Sequence, residues 1–412
     1  MNYARIFPKS KEVIADALSV RGWIAEGCFV RDGIIYPAMS ATAKGDSPVT
    51  VKKAWYSHKE KLIIAWTANG IFTSSDGAEF TLCSETVYAP DGRLPLYFDD
   101  ADGYPCVAGL NGCVKIRNGV AETDNFFGGV FGGVIKNGRL FAQDLSDAYR
   151  IRWSGAGDPK DGADGIDGAG WVDINPAYGR VQNLVVYKRN IVVVCEYGLA
   201  VMSAFGAPEN FKLQYIDGVI GKIAPDTAAV AGNKLAFCCD GKVMLFDGIK
   251  VERLYAELLS DMVNPVCAAG AEGLYFVAAE SRRLKRQVVF AVNPTYSTAY
   301  IIDFPATVLC VGDKIYCFAG KRCATLGYGG GYAFTSGVIN FGTRERKTLK
   351  SIHLGNDAPV DIEVISDGNS RILRGVTGYC RPKACGNSFK ITVRASGKIC
   401  GLKAVGEFAD GV

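Results

Sequence analysis

Apolar runs of four to seven residues, rich in Val, Ile, Phe and Tyr, recur along the whole chain and are bounded by Gly, Asn and Asp. Runs of this length between turn-forming residues mark β-strands joined by tight turns, whereas a helix repeats its apolar positions about every 3.6 residues. A mainly β protein is expected. Two segments alone carry helical spacing: residues 9–18, and residues 251–262, where RLYAELLSDM sets Leu254, Leu258 and Leu259 on one helical face.

Within the strand pattern a unit recurs: a turn with Gly, Asn or Lys, a strand, a polar or glycine turn, and a second strand. It occurs at residues 59–77, 103–119, 136–155, 187–206, 232–248, 272–292 and 312–330. With Leu62, Cys106, Leu140, Ile191, Leu235, Leu274 and Ile315 taken as equivalent, the spacings are 44, 34, 51, 44, 39 and 41 residues. A beat near 40 residues matches the blade of a β-propeller, a short four-stranded sheet that buries both faces against its neighbours. A solenoid coil is usually shorter than this, and a sandwich has no reason to repeat so evenly. About seven blades are expected, uncertain by one.

From residue 332 the runs lengthen into alternating strands such as PVDIEVISDG and FKITVRAS, with Asp367-Gly368-Asn369 as a hairpin turn. The fold class read from the pattern is therefore all-β: a β-propeller over residues 51–331, followed by a small C-terminal antiparallel β-sandwich over 332–412. Residues 1–50 form an N-terminal segment packing on or closing the propeller.

Composition adds three constraints. Forty-nine glycines in 412 residues exceed the usual share of about 7% and, without a triplet period, point to many tight turns. Lys and Arg number 46 against 42 Asp and Glu, a net charge of +4 that argues for neither nucleic acid nor membrane by itself. Fourteen cysteines resemble a disulfide framework until their surroundings are read: Cys195, Cys238, Cys239, Cys310 and Cys317 sit inside apolar runs, where a free thiol behaves as a small hydrophobe. A reducing site of synthesis is expected, no export signal is read in the first thirty residues, and no apolar run reaches the ~18 residues of a membrane-spanning helix.

Candidate chemistry is sparse. Cys106 and Cys113, Cys317 and Cys323, and Cys380 and Cys385 lack the two-residue gap of paired zinc ligands, and His58 and His353 are the only histidines, so no metal site is read. The loop 155–170 holds Asp158, Asp161, Asp164 and Asp167 at even spacing, unlike calcium loops, which need carboxylates at alternate positions. The stretch Thr73-Ser-Ser-Asp-Gly-Ala-Glu-Phe80 resembles the aspartate-box turn of sialidase-like propellers, where that box is structural. Gly128-Gly129 and Gly132-Gly133 precede no helix and so cannot cradle a phosphate; they read as a tight blade crossing. No G-x-S-x-G elbow is present. No catalytic residues and no cofactor are read.

Two basic clusters stand out: Arg282, Arg283, Lys285 and Arg286, and Arg344, Arg346, Lys347 and Lys350. Repeated by symmetry around a ring, such clusters would meet a phosphate backbone without reading its sequence, so they are candidate DNA, channel or subunit contacts.

From Tyr149 the order of turns resembles a known family. Tyr149-Arg-Ile-Arg152-Trp153-Ser154 is followed by Gly157-Asp158-Pro159, then by residues 181–188, 191–194, Gly221-Lys-Ile-Ala-Pro225 and Asp240-Gly-Lys-Val-Met-Leu-Phe-Asp-Gly248. This succession is similar to the propeller of bacteriophage tail nozzle and packaged-DNA-stabilisation proteins over about 100 residues, 149–248. The resemblance implies a structural virion protein of the tail or its channel. It would be made in the bacterial cytoplasm and assembled as a homo-oligomeric ring with other tail or portal proteins. There it would retain packaged DNA and let it pass during genome ejection. The alternative is a receptor- or glycan-binding propeller, in which Trp55, Trp66, Trp153 and Trp171 would be exposed to stack on sugars; a sialidase-like glycoside hydrolase comes after it.

Overall fold

The computed structural model describes residues 12–85, 94–162 and 168–408, and its chain divides into two compact units. One comprises Ala41–Ser297 and Phe304–Leu326; the other comprises Met1–Ser40, Thr298–Asp303 and Gly327–Val412.

The first unit is the β-propeller. Seven antiparallel meanders follow one another, with innermost strands Val51–Ser57, Leu96–Asp99, Val130–Lys136, Val181–Tyr187, Ala229–Ala231, Met262–Ala271 and Val308–Val311. Six of these sheets are four-stranded; the sixth in order brings three strands of this unit, Met262–Ala271, Leu274–Ser281 and Arg286–Asn293. The blade number read from the sequence covers this architecture. Its seven repeated segments fall on the central hairpins of the seven sheets, and all seven equivalent positions open or nearly open a second strand. Asp240-Gly241 closes the central hairpin of the fifth sheet, Asn118-Gly119 the third-to-fourth turn of the second and Asn137-Gly138 the first-to-second turn of the third, each with both residues at positive φ, the conformation that matches strand twist in a two-residue turn.

Neighbouring sheets share apolar cores around the ring. Val51, Ile63 and Phe72 of the first sheet pack on Val308, Tyr316 and Phe318 of the seventh, so the two ends of the array meet. The seventh sheet is completed by Ser40–Asp46, which precedes the first blade in sequence. Closure therefore uses backbone hydrogen bonds between the two ends of the repeat array, leaving no open edge at the seam. Between the fifth and sixth sheets the inner strands come close enough that a Cβ on Gly270 would lie 1.7 Å from the Val230 carbonyl oxygen. Beside it the buried Tyr275 hydroxyl donates to the Thr227 carbonyl at 2.7 Å.

The second unit is a β-sandwich. Its first sheet runs Cys28–Arg31, Ile34–Pro37, Ile399–Phe408 and Lys347–Asn356, with Glu12–Asp16 also paired to Ile399–Phe408. Its second sheet runs Thr298–Ile302, Ile24–Glu26, Tyr332–Thr335, Phe389–Ala395, Val360–Ser366 and Asn369–Val376. Leu349, Ile352 and Leu402 of one sheet and Phe334, Ile362 and Val393 of the other are fully buried. The Phe341 ring packs edge-on against Phe389 at a centroid distance of 6.1 Å. Pairing is antiparallel except for one parallel bridge, Glu26 with Ile301.

Three expectations are corrected. The chain does not run as consecutive spans 1–50, 51–331 and 332–412: residues 12–37 and 298–303 supply strands to the sandwich, while Ser40–Asp46 belongs to the propeller. A strand carries no mark of where its partner lies in sequence, which is why the boundaries were not readable. The described part of the helical segment 9–18 is instead the strand Glu12–Asp16, stabilised by pairing with residues 403–407; residues 9–11 lie outside the described residues. Residues 251–262 hold the strand Val251–Arg253 and a single five-residue 3-10 turn, Glu257–Asp261, too short to repay an α-helical nucleus. Leu254, Leu258 and Leu259 are nonetheless buried.

Candidate functional site

A polar constellation of the propeller lies on the side bearing the turns between second and third strands and the crossings from one blade to the next. Asp226, in the crossing into the fifth sheet, adopts φ 60° and accepts a backbone hydrogen bond from Ala268 of the sixth at 2.9 Å. Its carboxylate pairs with the Lys53 ammonium at 2.6 Å. Lys53 is on the innermost strand of the first sheet, so the pair ties blades that are not neighbours in the ring. The Cys267 and Cys310 thiols of the intervening sixth and seventh sheets lie within the field of that ammonium.

Beside Asp226 opens a cavity of about 260 Å³, walled by residues of the third, fourth and fifth blades and by Leu94 at the entry to the second. A bulge between Phe131 and Gly133 turns the third inner strand, and a second between Val181 and Asn183 turns the fourth. Gln143 enters from the third blade and donates its side-chain amide to the Gln182 carbonyl at 3.0 Å. The Gln182 side-chain oxygen is buried without a hydrogen-bond partner. Glu196 accepts from the Arg180 backbone N–H at 3.2 Å and faces the Lys222 ammonium at 3.5 Å. Arg180 is exposed, is among the residues lining the cavity, and forms no ion pair among the described residues. This arrangement can hold a polar or charged group. No histidine lines it, and among the described residues no three metal-ligating side chains converge.

The residues singled out from sequence are distributed differently. Arg282, Arg283 and Lys285 form the exposed turn between the second and third strands of the sixth blade, and Arg286 opens the third. The buried Asp261 carboxylate accepts from the Arg283 backbone N–H at 2.8 Å and anchors that turn. Arg344, Arg346 and Lys350 are exposed in the sandwich. Lys347 is not: it is fully buried, its ammonium donating to the Thr343 carbonyl at 3.0 Å and to the Glu345 carbonyl. It satisfies a loop and cannot meet a phosphate, a correction to its place among the candidate contacts.

The family-like motif is turn chemistry. The Ser154 hydroxyl, fully buried, accepts from the Leu140 N–H at 3.0 Å and donates to the Gly155 carbonyl at 3.0 Å. Trp153 fills the core between the third and fourth blades, Arg152 faces Asp144 at 3.7 Å, Asp158 caps the Lys160 N–H at 2.9 Å, and Pro159 is buried. Of the four tryptophans expected to be exposed, Trp66 and Trp153 are buried and Trp55 stacks on Tyr97 at 5.4 Å; only Trp171 stands out, 54% exposed, with the Arg150 guanidinium 4.0 Å from its ring centre. Asp164 and Asp167 lie outside the described residues. The aspartate-box-like stretch behaves as a turn clamp: Ser74 and Asp76 accept from the Gly77 and Ala78 N–H groups, and Phe80 packs edge-on against Phe318 of the seventh blade.

The thiols are chemically quiet. Burial pushes Cys195, Cys238, Cys267, Cys310 and Cys323 up to about 12, which keeps them protonated near neutral pH. Two groupings escaped the sequence reading. Lys53 and Asp226 are 173 residues apart and carry no local signal. Ser351 and His353, whose hydroxyl and imidazole lie 2.8 Å apart, are two positions apart on one strand, a spacing that does place both on one face.

No family model matches the chain, and no curated protein matches it. Solved structures do. U3-55K aligns with 69% of this chain and 98% of its own at 11% identity and a TM-score of 0.50. The RRP9 WD40 repeats align with 70% of this chain and 100% of their own at 11% identity and 0.49, and the Neurospora crassa Pan2 WD40 domain with 70% and 95% at 10% and 0.47. The likeness is one of fold. Among the described residues no helix is long and apolar enough to cross a membrane.

Proposed function

We propose that this chain is a non-enzymatic structural component of a bacteriophage virion tail, a nozzle or tail-channel protein that assembles as a homo-oligomeric ring, retains packaged DNA and takes part in genome ejection. The observation that carries the reading is the order of turns across residues 149–248, which run through the third, fourth and fifth blades. Arg150–Trp153 is a third strand, Gly157-Asp158-Pro159 lies in the turn after it, Gly221 to Pro225 belong to the crossing into the fifth blade, and Asp240-Gly241 closes its central hairpin. The motifs serve strands, turns and crossings between blades. The exposed basic turn at 282–286, with Arg344, Arg346 and Lys350, supplies the candidate DNA or subunit contacts. Electron microscopy of the purified protein, together with proteomics of purified particles, tests the reading: rings and a virion-borne chain are expected, and a stable monomer absent from virions would refute it.

A second reading, a glycan-binding propeller, is favoured by one observation, the exposed Trp171 ring beside Arg150. Saturable binding on a glycan array, lost in Trp171→Ala, is its signature.

A further inference from the structure

Two turns of the propeller carry more positive charge than their folding uses. The sixth sheet presents Arg282, Arg283, Lys285 and Arg286 between its second and third strands, and the seventh presents Lys321 and Arg322 at the same place. The turns therefore stand on one side of adjacent blades, and all six residues are exposed. The crossing between the blades links them: the Arg322 guanidinium lies 6.0 Å from the Phe304 ring centre, and Gln287, next to Arg286, donates its side-chain amide to the Ala306 carbonyl at 3.3 Å. Both turns are fixed by hydrogen bonds. Leu284 donates its N–H to the Ser281 hydroxyl at 3.1 Å and Lys285 to the Ser281 carbonyl at 2.7 Å. The Gly320 and Lys321 carbonyls accept from the Val51 and Ser47 N–H groups at 3.0 and 2.8 Å. A fixed turn presents its cations without a further cost of ordering its backbone.

Neither turn contains an acidic residue. Asp46, Glu257, Asp261 and Glu280 lie in segments that adjoin the turns, and Asp303 precedes Phe304 in sequence; of these, Asp261 is buried and Glu280 accepts from the Asn264 side chain at 3.1 Å. Arg282, Lys285, Lys321 and Arg322 form no ion pair with these or with any other described residue. No large apolar side chain stands exposed in 281–287 or 319–323. Protein interfaces place aromatic and aliphatic residues at their centre and are poor in lysine, whereas a strip of exposed Lys and Arg alone is the footprint of a phosphate backbone.

We propose that the two turns form one strip that binds the phosphodiester backbone of DNA without reading its sequence. Arg282, Lys285, Lys321 and Arg322 each neutralise one phosphate and release the counter-ions condensed on it. Lys321 and Arg322 make no basic run in the sequence; the neighbouring blades bring them beside 282–286. The choice of DNA as the polyanion rests on the virion reading, and the position of the strip rests on the turns alone.

The test is the fluorescence anisotropy of a labelled duplex of about 30 base pairs, titrated with the full-length protein in the oligomeric state in which it purifies. Affinity should fall about a hundredfold between 50 and 200 mM salt, following the logarithmic slope of about −3.6 that four neutralised phosphates give. Lys321→Ala/Arg322→Ala should bind at least tenfold more weakly at 50 mM salt and halve that slope. Lys390→Ala/Lys403→Ala, the same loss of charge from exposed positions of the sandwich, should leave both unchanged. Lys285→Arg/Lys321→Arg should keep both, and a duplex of unrelated sequence should bind within twofold. Absence of binding at 50 mM salt would overturn the strip, as would binding untouched by Lys321→Ala/Arg322→Ala or weakened equally by Lys390→Ala/Lys403→Ala. Poly-glutamate binding as tightly at equal charge would overturn it too, by making the turns a protein-docking surface. The two readings fail separately. Rings in purified particles without strip-dependent binding would remove the strip and leave the virion reading, and strip-dependent binding by a monomer absent from virions would do the reverse.

Discussion

The propeller and the sandwich are both all-β, yet they are assembled by opposite rules. Each propeller sheet is a run of consecutive strands, and only the strand Ser40–Asp46 reaches across the array to close the seventh. The sandwich draws its strands from three separate stretches, so that Glu12–Asp16 pairs with residues near the end of the described chain and Ile24–Glu26 lies between Thr298–Ile302 and Tyr332–Thr335. The propeller concentrates its demands at points where sheets converge on the axis. The sandwich spreads them over long pairings, and it leaves polar and reactive groups at its surface. Where the two differ, substitutions should separate them.

The largest effect belongs to the convergence of inner strands. Gly270→Val would drive a side chain into the Val230 carbonyl, which is backbone and cannot rotate away. Overpacking of this kind costs about 3 kcal/mol or more, and chemical denaturation should show a midpoint shift of that size or no folded protein. A neutral outcome would mean that the fifth and sixth blades do not approach as closely as the toroid requires.

That contrast also explains what could be read beforehand. Leu62, Cys106, Leu140, Ile191, Leu235, Leu274 and Ile315 were legible as equivalents because a hairpin is a local object: its apolar run, its Asn-Gly or Asp-Gly turn and its return strand lie within about twenty residues of one another. The sandwich strand Glu12–Asp16 carries helical spacing in sequence and is a strand because its stabilisation comes from a partner almost four hundred residues away, which local spacing cannot carry. The candidate site follows the same rule. Trp153 and Lys347 have polar or turn-rich neighbours in sequence and are buried by tertiary contacts, while Lys53 and Asp226 meet only because the ring closes.

Ion pairs give the next separation. In the second blade the buried Asp100 carboxylate meets the Lys115 ammonium and accepts from the Asp102 and Tyr104 N–H groups at 3.0 and 2.9 Å. Burial opposes the charge of Asp100, but these donors outweigh it and hold the carboxyl below its usual range. The stability it contributes is complete above the unfolded carboxylate value of about 3.9 and is lost as pH falls through the lower folded value. Asp100→Ala should cost about 2–3 kcal/mol at pH 7, and much less at pH 2, by denaturant titration at both pH values. In the sandwich, Ser370 and Arg394 likewise lower Glu363, but Arg394 is 53% exposed, so Arg394→Ala should cost about 0.5 kcal/mol and less in high salt. Equal costs at the two sites would erase the distinction between a converging and a spread architecture.

The smallest energetic effect, and the most direct readout, comes from the thiols. Cys28, Cys380, Cys385 and Cys400 belong to the sandwich and the other ten cysteines to the propeller. Only Cys385 and Cys400 are exposed; all propeller thiols are buried except the half-buried Cys83, which burial pushes up to about 11. Titration of native protein with a chromogenic disulfide reagent at pH 8 should therefore consume two equivalents quickly, and all fourteen should react only after unfolding. Replacing Cys385 and Cys400 by Ser should abolish the fast phase while shifting stability by no more than about 0.5 kcal/mol, since exposed positions of this kind carry little packing. If the fast phase survives the double replacement, and survives Cys380→Ser as well, its thiols are buried ones, and cores that hold the strands together must open on the timescale of the reaction.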